Sequence, residues 1–157
     1  VKNNVRIMAI ISVAQYQKRL QSVTNKQVLE QMMNEIVLSD QKLKEQKINE
    51  FTRGKMPDGS LIGNYQSAGY AIDKYQMNPL ADGHVDLMVT RSFVNHLYVD
   101  KMRPRAFLFN SSDWKTDRLI RKYTIDIMGL NDDYWRNRQK QVYLPVFKFM
   151  IKRKANL

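Results

Sequence analysis

The sequence predicts an α+β fold: long N-terminal helices, a small antiparallel sheet built on a hairpin near residues 93–110, and a basic C-terminal helix. Three observations predict it. Apolar residues recur at helical spacing over residues 26–52, with Leu29, Ile36 and Leu43 at heptad steps. Phe93, Leu97 and Val99 alternate with the polar Asn95, and a second apolar run, Ala106-Phe107-Leu108-Phe109, follows the turn Met102-Arg103-Pro104. The cap-forming cluster Asn131-Asp132-Asp133 opens a last apolar stripe rich in Lys and Arg.

In chain order, Val5, Met8, Ile11, Ala14 and Leu20 suit a first helix over residues 5–21, with a strand as the alternative. The stretch from Met8 to Ala14 faintly mimics a secretory signal but lacks a clear small-residue cleavage site, and is read as structure. Thr24 with Gln27 three residues on is a capping-box signature. Residues 26–52 are then expected to form one helix of about 26 residues, ~39 Å long. Met32 and Phe51 lie on its apolar face, Glu and Lys on the other, and Asp40 stands four residues before Lys44.

Arg53 to Tyr65 is the boundary around which the chain is organised. It holds three of the six glycines, and Pro57-Asp58-Gly59 is a turn signal: Pro presets φ, Asp bonds its own backbone and Gly accepts positive φ. Gly54 is expected just past the helix end. Residues 55–85 are expected to be an extended, turn-punctuated loop, broken by Gly59, Gly63, Gly69, Gly83, Pro57 and Pro79. Tyr65, Tyr70 and Tyr75 recur every five residues along it. Loop aromatics anchor their own domain, fill a subunit interface or stack on bases. Beyond the hairpin, Ser111-Ser112-Asp113 is a break. Thr116 to Lys122 is a short basic helix with Leu119, Ile120 and Tyr123 inward. Pro145 should kink or split the last helix, whose stripe is Tyr143, Phe147 and Met150 or Ile151.

The 157 residues suit one domain, with a helical region at 1–52, the loop at 53–85 and the hairpin with C-terminal helices at 86–157. The absence of cysteine excludes a disulfide scaffold, a thiolate zinc site and a Cys nucleophile. No apolar run reaches the length of a membrane span, so no membrane partner is expected. Net charge is +11 and uneven: residues 101–157 hold 14 basic and 5 acidic groups, a net of +9. Arg136, Arg138, Lys140, Lys148, Lys152, Arg153 and Lys154 supply most of that excess. They fit a nucleic-acid or acidic-protein partner, or a solvated basic face.

The sequence has no phosphate-binding glycine loop and no Gly-x-Gly-x-x-Gly. His84 and His96 match no metal motif, even with Asp82 and Asp86 near, and are read as surface histidines. Asp58 and Asp73 are a poor carboxylate pair, and no Ser-His-acid arrangement is evident. The chain is therefore expected not to be an enzyme and to need no cofactor.

The order of certain motifs resembles a virion protein of tailed bacteriophages, of the kind found in phages and prophages of Bacteroides-like hosts. The carriers are Gly54, Asp58-Gly59-Ser60, Ile62-Gly63-Asn64-Tyr65, Val85-Asp86-Leu87, Asp113-Trp114-Lys115-Thr116, Lys122-Tyr123 and Ile127-Met128-Gly129-Leu130. They lie within roughly residues 25–147. More distantly, the layout is similar to the tail-completion, or neck, family: Tyr143-Leu144-Pro145-Val146 resembles that family's Phe-Leu-x-Pro-Ala helix start. The family's Thr-Gly beside the hairpin is Thr90-Arg91 here, and Arg91 lacks glycine's freedom at positive φ, so that turn is expected to differ.

The resemblance implies a structural, non-enzymatic protein of the neck or head-tail connector, made in the host cytoplasm and built into the virion. It implies a homo-oligomeric ring of about six or twelve copies, with heterologous contacts between neighbours. Portal, adaptor or tail-tube proteins would be its partners, with possible non-specific contact to packaged DNA. Arg53, Tyr65, Tyr70, Tyr75, Tyr143 and Phe147 are then candidate subunit-interface residues. The seven C-terminal cations are candidate contacts to the DNA channel or to an acidic partner. A basic nucleic-acid-binding module is the alternative.

Overall fold

Three helices lead the chain: α1 (Val13–Val23), α2 (Lys26–Leu38) and α3 (Gln41–Thr52). The structure is a computed structural model that describes residues 12–88, 91–103 and 106–156. The expected first-helix positions Val5, Met8 and Ile11 lie outside the described residues. A capping box starts α1: Gln15 N–H donates to Ser12 Oγ at 3.2 Å and Ser12 N–H to Gln15 Oε1 at 3.0 Å. The box expected at Thr24 and Gln27 does not form. Thr24 closes α1, its N–H reaching Leu20 O, and the extended Asn25 caps α2 by accepting from Gln27 N–H at 2.8 Å.

The single helix expected over residues 26–52 is two helices. Met32, Ile36, Leu43 and Phe51 are buried as their spacing predicts, and Leu29 is half-buried. Asp40 interrupts the run. Its backbone is extended (φ −80°, ψ 93°), and its carboxylate accepts from Lys42 N–H at 3.0 Å, which starts α3 afresh. Asp40 does not pair with Lys44, whose ammonium donates to Asn95 O instead. Nor is Lys47 on a solvated face: it is buried, its Nζ 2.9 Å from Glu50 Oε2 and 4.8 Å from the Phe51 ring centroid. Burial pushes the Lys47 pKa down from the ordinary lysine value.

Gly54 ends α3 in a Schellman turn. Gly54 N–H donates to Phe51 O and Lys55 N–H to Glu50 O, with Gly54 at φ 64°. A Cβ here would stand 2.7 Å from Val85 O. Gly54→Ala is therefore expected to destabilise the fold by about 2 kcal/mol, from left-handed strain plus the clash. Urea unfolding checks this, and a variant as stable as the parent would contradict it.

The loop expected at 55–85 is more ordered than its glycines imply. A small turn comes first: Gly59 N–H donates to Met56 O, and Asp58 Oδ1 accepts from Ser60 N–H and Oγ–H. Then α4 (Ala68–Met77) forms, capped by Ser67, followed by a 3-10 turn at Pro79–Ala81. The glycines punctuate the ends of these pieces, and only Gly69 lies inside the helix.

Ser92–Asn95 is a one-turn helix, α5, rather than the start of a strand, and it buries Phe93 and Val94. Arg91 sits before it at φ 54°, so the left-handed turn expected to be closed to arginine is adopted. The hairpin follows: β1 (Leu97–Arg103) and β2 (Ala106–Ser111) pair antiparallel, with Val99 opposite Phe109 and a bulge between Lys101 and Arg103. Pro104, expected in its turn, lies outside the described residues. Next come α6 (Thr116–Tyr123) and a 3-10 turn at Ile125–Met128.

The chain closes with a rod: α7 (Asp132–Arg138), one π-helical turn (Gln139–Tyr143) and α8 (Leu144–Lys154). Asn131 caps α7 and also donates to Pro57 O at 2.7 Å. Leu144 N–H reaches five residues back to Gln139 O, which places Pro145 in the first turn of α8. The split expected at proline thus takes the form of a π turn.

The core gathers Val37, Leu43, Phe51, Phe93, Leu97, Phe109, Ile127, Met128 and Tyr143. It joins α2 and α3 to the hairpin and the C-terminal rod. Each fully buried aliphatic or Phe side chain there contributes about 1.5–3 kcal/mol relative to exposure.

Candidate interaction surfaces

Residues 64–88 are held from beneath by one buried ion pair. Lys74 points inward from α4, and its Nζ lies 2.5 Å from Asp86 Oδ1. Asn78 Nδ2 lies 2.7 Å from Asp86 Oδ2 and equally close to Thr52 O at the end of α3. Tyr65 accepts from Asp86 N–H at 3.2 Å. With its one lysine committed inward, α4 turns Tyr70, Ile72, Asp73, Tyr75, Gln76 and Met77 outward, and Leu80 extends the patch. Tyr70 is 47% exposed and Met77 74%. Tyr70 also stands edge-on to Tyr65 at 4.9 Å between centroids. Of the three periodic tyrosines, Tyr70 and Tyr75 are therefore on the surface, and half-buried Tyr65 is mainly their anchor.

A second clasp fixes the opposite end of α3. Arg138 donates through Nε at 3.0 Å and Nη2 at 2.7 Å to Asp40 Oδ2, and Tyr143 donates to the same oxygen at 2.5 Å. Tyr134 adds a bond to Lys42 O at 3.1 Å. Tyr143 is 1% exposed and packs on Trp135 at 5.5 Å. It is a core residue, not a subunit contact. Arg138 likewise serves an internal carboxylate rather than an open channel face. Sequence spacing did not reveal either clasp, because the partners are far apart along the chain.

The remaining predicted cations do reach the surface. Arg136, Lys140, Lys148, Lys152, Arg153 and Lys154 are exposed. On α8, helical spacing sets Val146, Phe149 and Arg153 in one row beside Lys148 and Lys152. Phe149 is 64% exposed, and no acidic residue follows Asp133 in the sequence. Phe147 turns towards the body and lines a cavity of about 550 Å³ with Leu29, Met33, Phe107 and Trp135. Arg53 is exposed at the end of α3, its Nε donating to Asn49 Oδ1 at 3.2 Å.

No family model, curated protein or solved structure matches the chain.

Among the described residues, no group of His, Cys, Asp and Glu side chains could hold a metal ion, and no helix is long and apolar enough to cross a membrane. His84 Nδ1 is 2.6 Å from Asn64 Oδ1, and His96 donates to Ser92 O. Asp73 is exposed on α4 and Asp58 is the turn carboxylate described above.

Two phenols carry the mark of these clasps. Burial pushes the Tyr65 pKa up to about 12, and burial followed by the Asp40 carboxylate pushes that of Tyr143 up as well. Both raised values favour the neutral phenol in the fold. The stability this gives is full below the ordinary tyrosine value near 10 and is lost as pH rises from there through the folded values. Burial also pushes the Tyr134 pKa up, so ultraviolet titration is expected to show three late-ionising tyrosines, one absent in each of Tyr65→Phe, Tyr134→Phe and Tyr143→Phe. Ordinary titration of all eight tyrosines would contradict the clasps.

Proposed function

We propose that this chain is a structural virion protein, a subunit of the neck or head-tail connector ring that joins the portal end of a capsid to the tail of a tailed phage. The observation that carries it is the build of residues 64–88. A buried ion pair braces a helix whose outer face is tyrosine, isoleucine and methionine, a surface suited to being covered by another protein. The motif order quoted above supplies the phage context, and several of its residues, among them Gly54, Asp58 and Gly59, sit at turns and helix ends. On this proposal the protein acts by docking, without chemistry or cofactor, and its location is the virion.

Deleting its gene from a phage that encodes it is expected to give filled heads without tails in electron micrographs. Normal tailed particles would overturn the proposal.

The basic nucleic-acid-binding module remains the second reading, favoured by the six exposed cations of the C-terminal rod. Filter binding to duplex DNA across salt concentrations separates the two. A log–log slope near zero removes the module, and a steep slope without oligomer formation places it ahead of the ring.

A further inference from the structure

We infer that the turn and helix at residues 113–123, with Tyr70 beside them, form a track for a single-stranded polynucleotide. This goes beyond the assembly proposal and does not depend on it. The track lies on a different element from the cations of the C-terminal rod.

The motif Asp113-Trp114-Lys115-Thr116 builds its first contact. Asp113 and Thr116 are buried and hold the turn from within. The Asp113 carboxylate accepts from Lys115 N–H at 2.8 Å and from the Ser92 hydroxyl. The Thr116 hydroxyl lies 2.9 Å from Ser111 O and 2.6 Å from Asp113 O. Between these two fixed residues Trp114 stands 79% exposed, although tryptophan is ordinarily well buried. The turn that carries the indole is braced in advance, so its backbone need not be ordered on binding.

A second contact adjoins it. Tyr65, Tyr70, Lys115, Leu119 and Tyr123 line part of a cavity of about 240 Å³. Cations stand against the rings: Lys115 Nζ is 5.4 Å from the Trp114 centroid, and Lys122 Nζ is 4.9 Å from that of Tyr123. Helical spacing sets Lys115, Arg118 and Lys122 in one row beside the cavity. Asp117, the one acid of α6, lies about 100° or more around the helix from each of them, on the side of Arg121. Across the cavity, α4 adds one exposed acid, Asp73, against the three cations of the row. The Asp86 carboxylate beneath is enclosed and paired with Lys74.

Alternation of rings and cations selects the ligand. A single strand supplies a phosphate for each cation and an open base face for each ring. A duplex keeps its base faces stacked inside. An acidic peptide would meet the cations but offers nothing flat to Trp114. DNA and RNA share the recognised chemistry, and the test separates them.

Oligothymidylate and oligouridylate of about twelve nucleotides serve as probes. Binding is expected to quench tryptophan emission. The quenching should vanish in Trp114→Phe, because Trp135 packs on Phe107 and Tyr143. Anisotropy of a labelled oligomer then measures affinity. Trp114→Ala and Tyr70→Ala should each weaken binding about tenfold with the salt slope unchanged, since stacking releases no counterion. Arg118→Ser with Lys122→Ser should flatten the log–log salt slope by about 0.7 for each cation removed. All four positions are exposed, and circular dichroism checks that the variants fold. The tighter of the two oligomers identifies the sugar that the track takes.

Absence of quenching by both oligomers would overturn the inference. So would a duplex of equal length bound more tightly than the single strand, or polyglutamate bound as tightly as the oligomers. Full binding in Trp114→Ala, with loss only in Lys148→Glu/Lys152→Glu, would place the contact on the C-terminal rod and overturn it too. Quenching by a protein that stays monomeric would keep the track while the ring proposal fails.

Discussion

Asp40→Ala is expected to destabilise the protein by about 3 kcal/mol. Two losses combine. The α3 cap disappears, at about 1 kcal/mol. Arg138 and Tyr143 lose the carboxylate that accepts from both, and hydrogen bonds to a charged group are worth about 1.5–3 kcal/mol. Arg138 keeps 21% of its side-chain surface exposed, so water can partly replace Asp40, while the Tyr143 hydroxyl is more enclosed. Asp40→Asn should cost less, because its amide oxygen still caps α3 and accepts one bond. In a double-mutant cycle, Asp40→Ala and Arg138→Ala together should lose less than the sum of the two. Urea unfolding measures all four proteins. A loss of about 1 kcal/mol in Asp40→Ala, with additive double mutants, would mean that Asp40 is a cap and nothing more.

The same residue explains what the sequence concealed about the N-terminal region. Leu29, Ile36 and Leu43 keep heptad spacing through residues 26–52, and periodicity alone reads them as one helix. A break at Ser39-Asp40 leaves Ile36 and Leu43 facing the same core, so their spacing does not register it. The break is capped locally by Asp40 on Lys42 N–H, and the same carboxylate is held by Arg138 about a hundred residues away, a partner that no local pattern announces. The buried Lys47 is hidden for a different reason. Its ammonium is satisfied by Glu50 one turn on, a pair that reads on paper as a surface salt bridge.

Turn chemistry was legible because it is local. Gly54, Pro57-Asp58-Gly59 and Asn131 each do what their own backbone preferences dictate. The hairpin was legible from alternation, although α5 absorbed its first expected residues once Phe93 and Val94 could both be buried by one helical turn. Residues 64–88 misled in the opposite direction. Glycine and proline density predicts an open loop, and α4 forms between them because Ser67 caps it and Lys74 finds Asp86. Exposed Tyr70 and Tyr75 were visible as candidates from their spacing. Tyr143 was legible as part of the apolar stripe, but that its hydroxyl and Arg138 both serve Asp40 was not, since that partner lies about a hundred residues away.

Lys74→Met is expected to produce a larger loss than Asp40→Ala, about 3–5 kcal/mol, because it strands a carboxylate that is fully enclosed. The Asp86 side chain has 0% exposure and that of Lys74 has 3%. Methionine keeps most of the stem volume, so the loss reports the missing charge rather than a cavity. Asn78 and Tyr65 still contact Asp86, but neither supplies a formal positive charge. Lys74→Met/Asp86→Asn should recover more than half of the loss, since removing both charges ends the desolvation problem and an amide oxygen still accepts from Asn78. Hydrogen exchange locates the effect. In Lys74→Met, amides of residues 64–88 should exchange faster than those of β1 and β2, because the ion pair ties α4 to the loop that carries Asp86. Uniform acceleration across the chain would mean that the pair supports the whole core and does not specifically hold the α4 face. If α4 loosens selectively, the tyrosine face is a surface that the protein holds rigid at the cost of a buried charge pair. A buried pair of this kind is weak evidence for stability, and here its effect is to fix where the exposed aromatic residues stand.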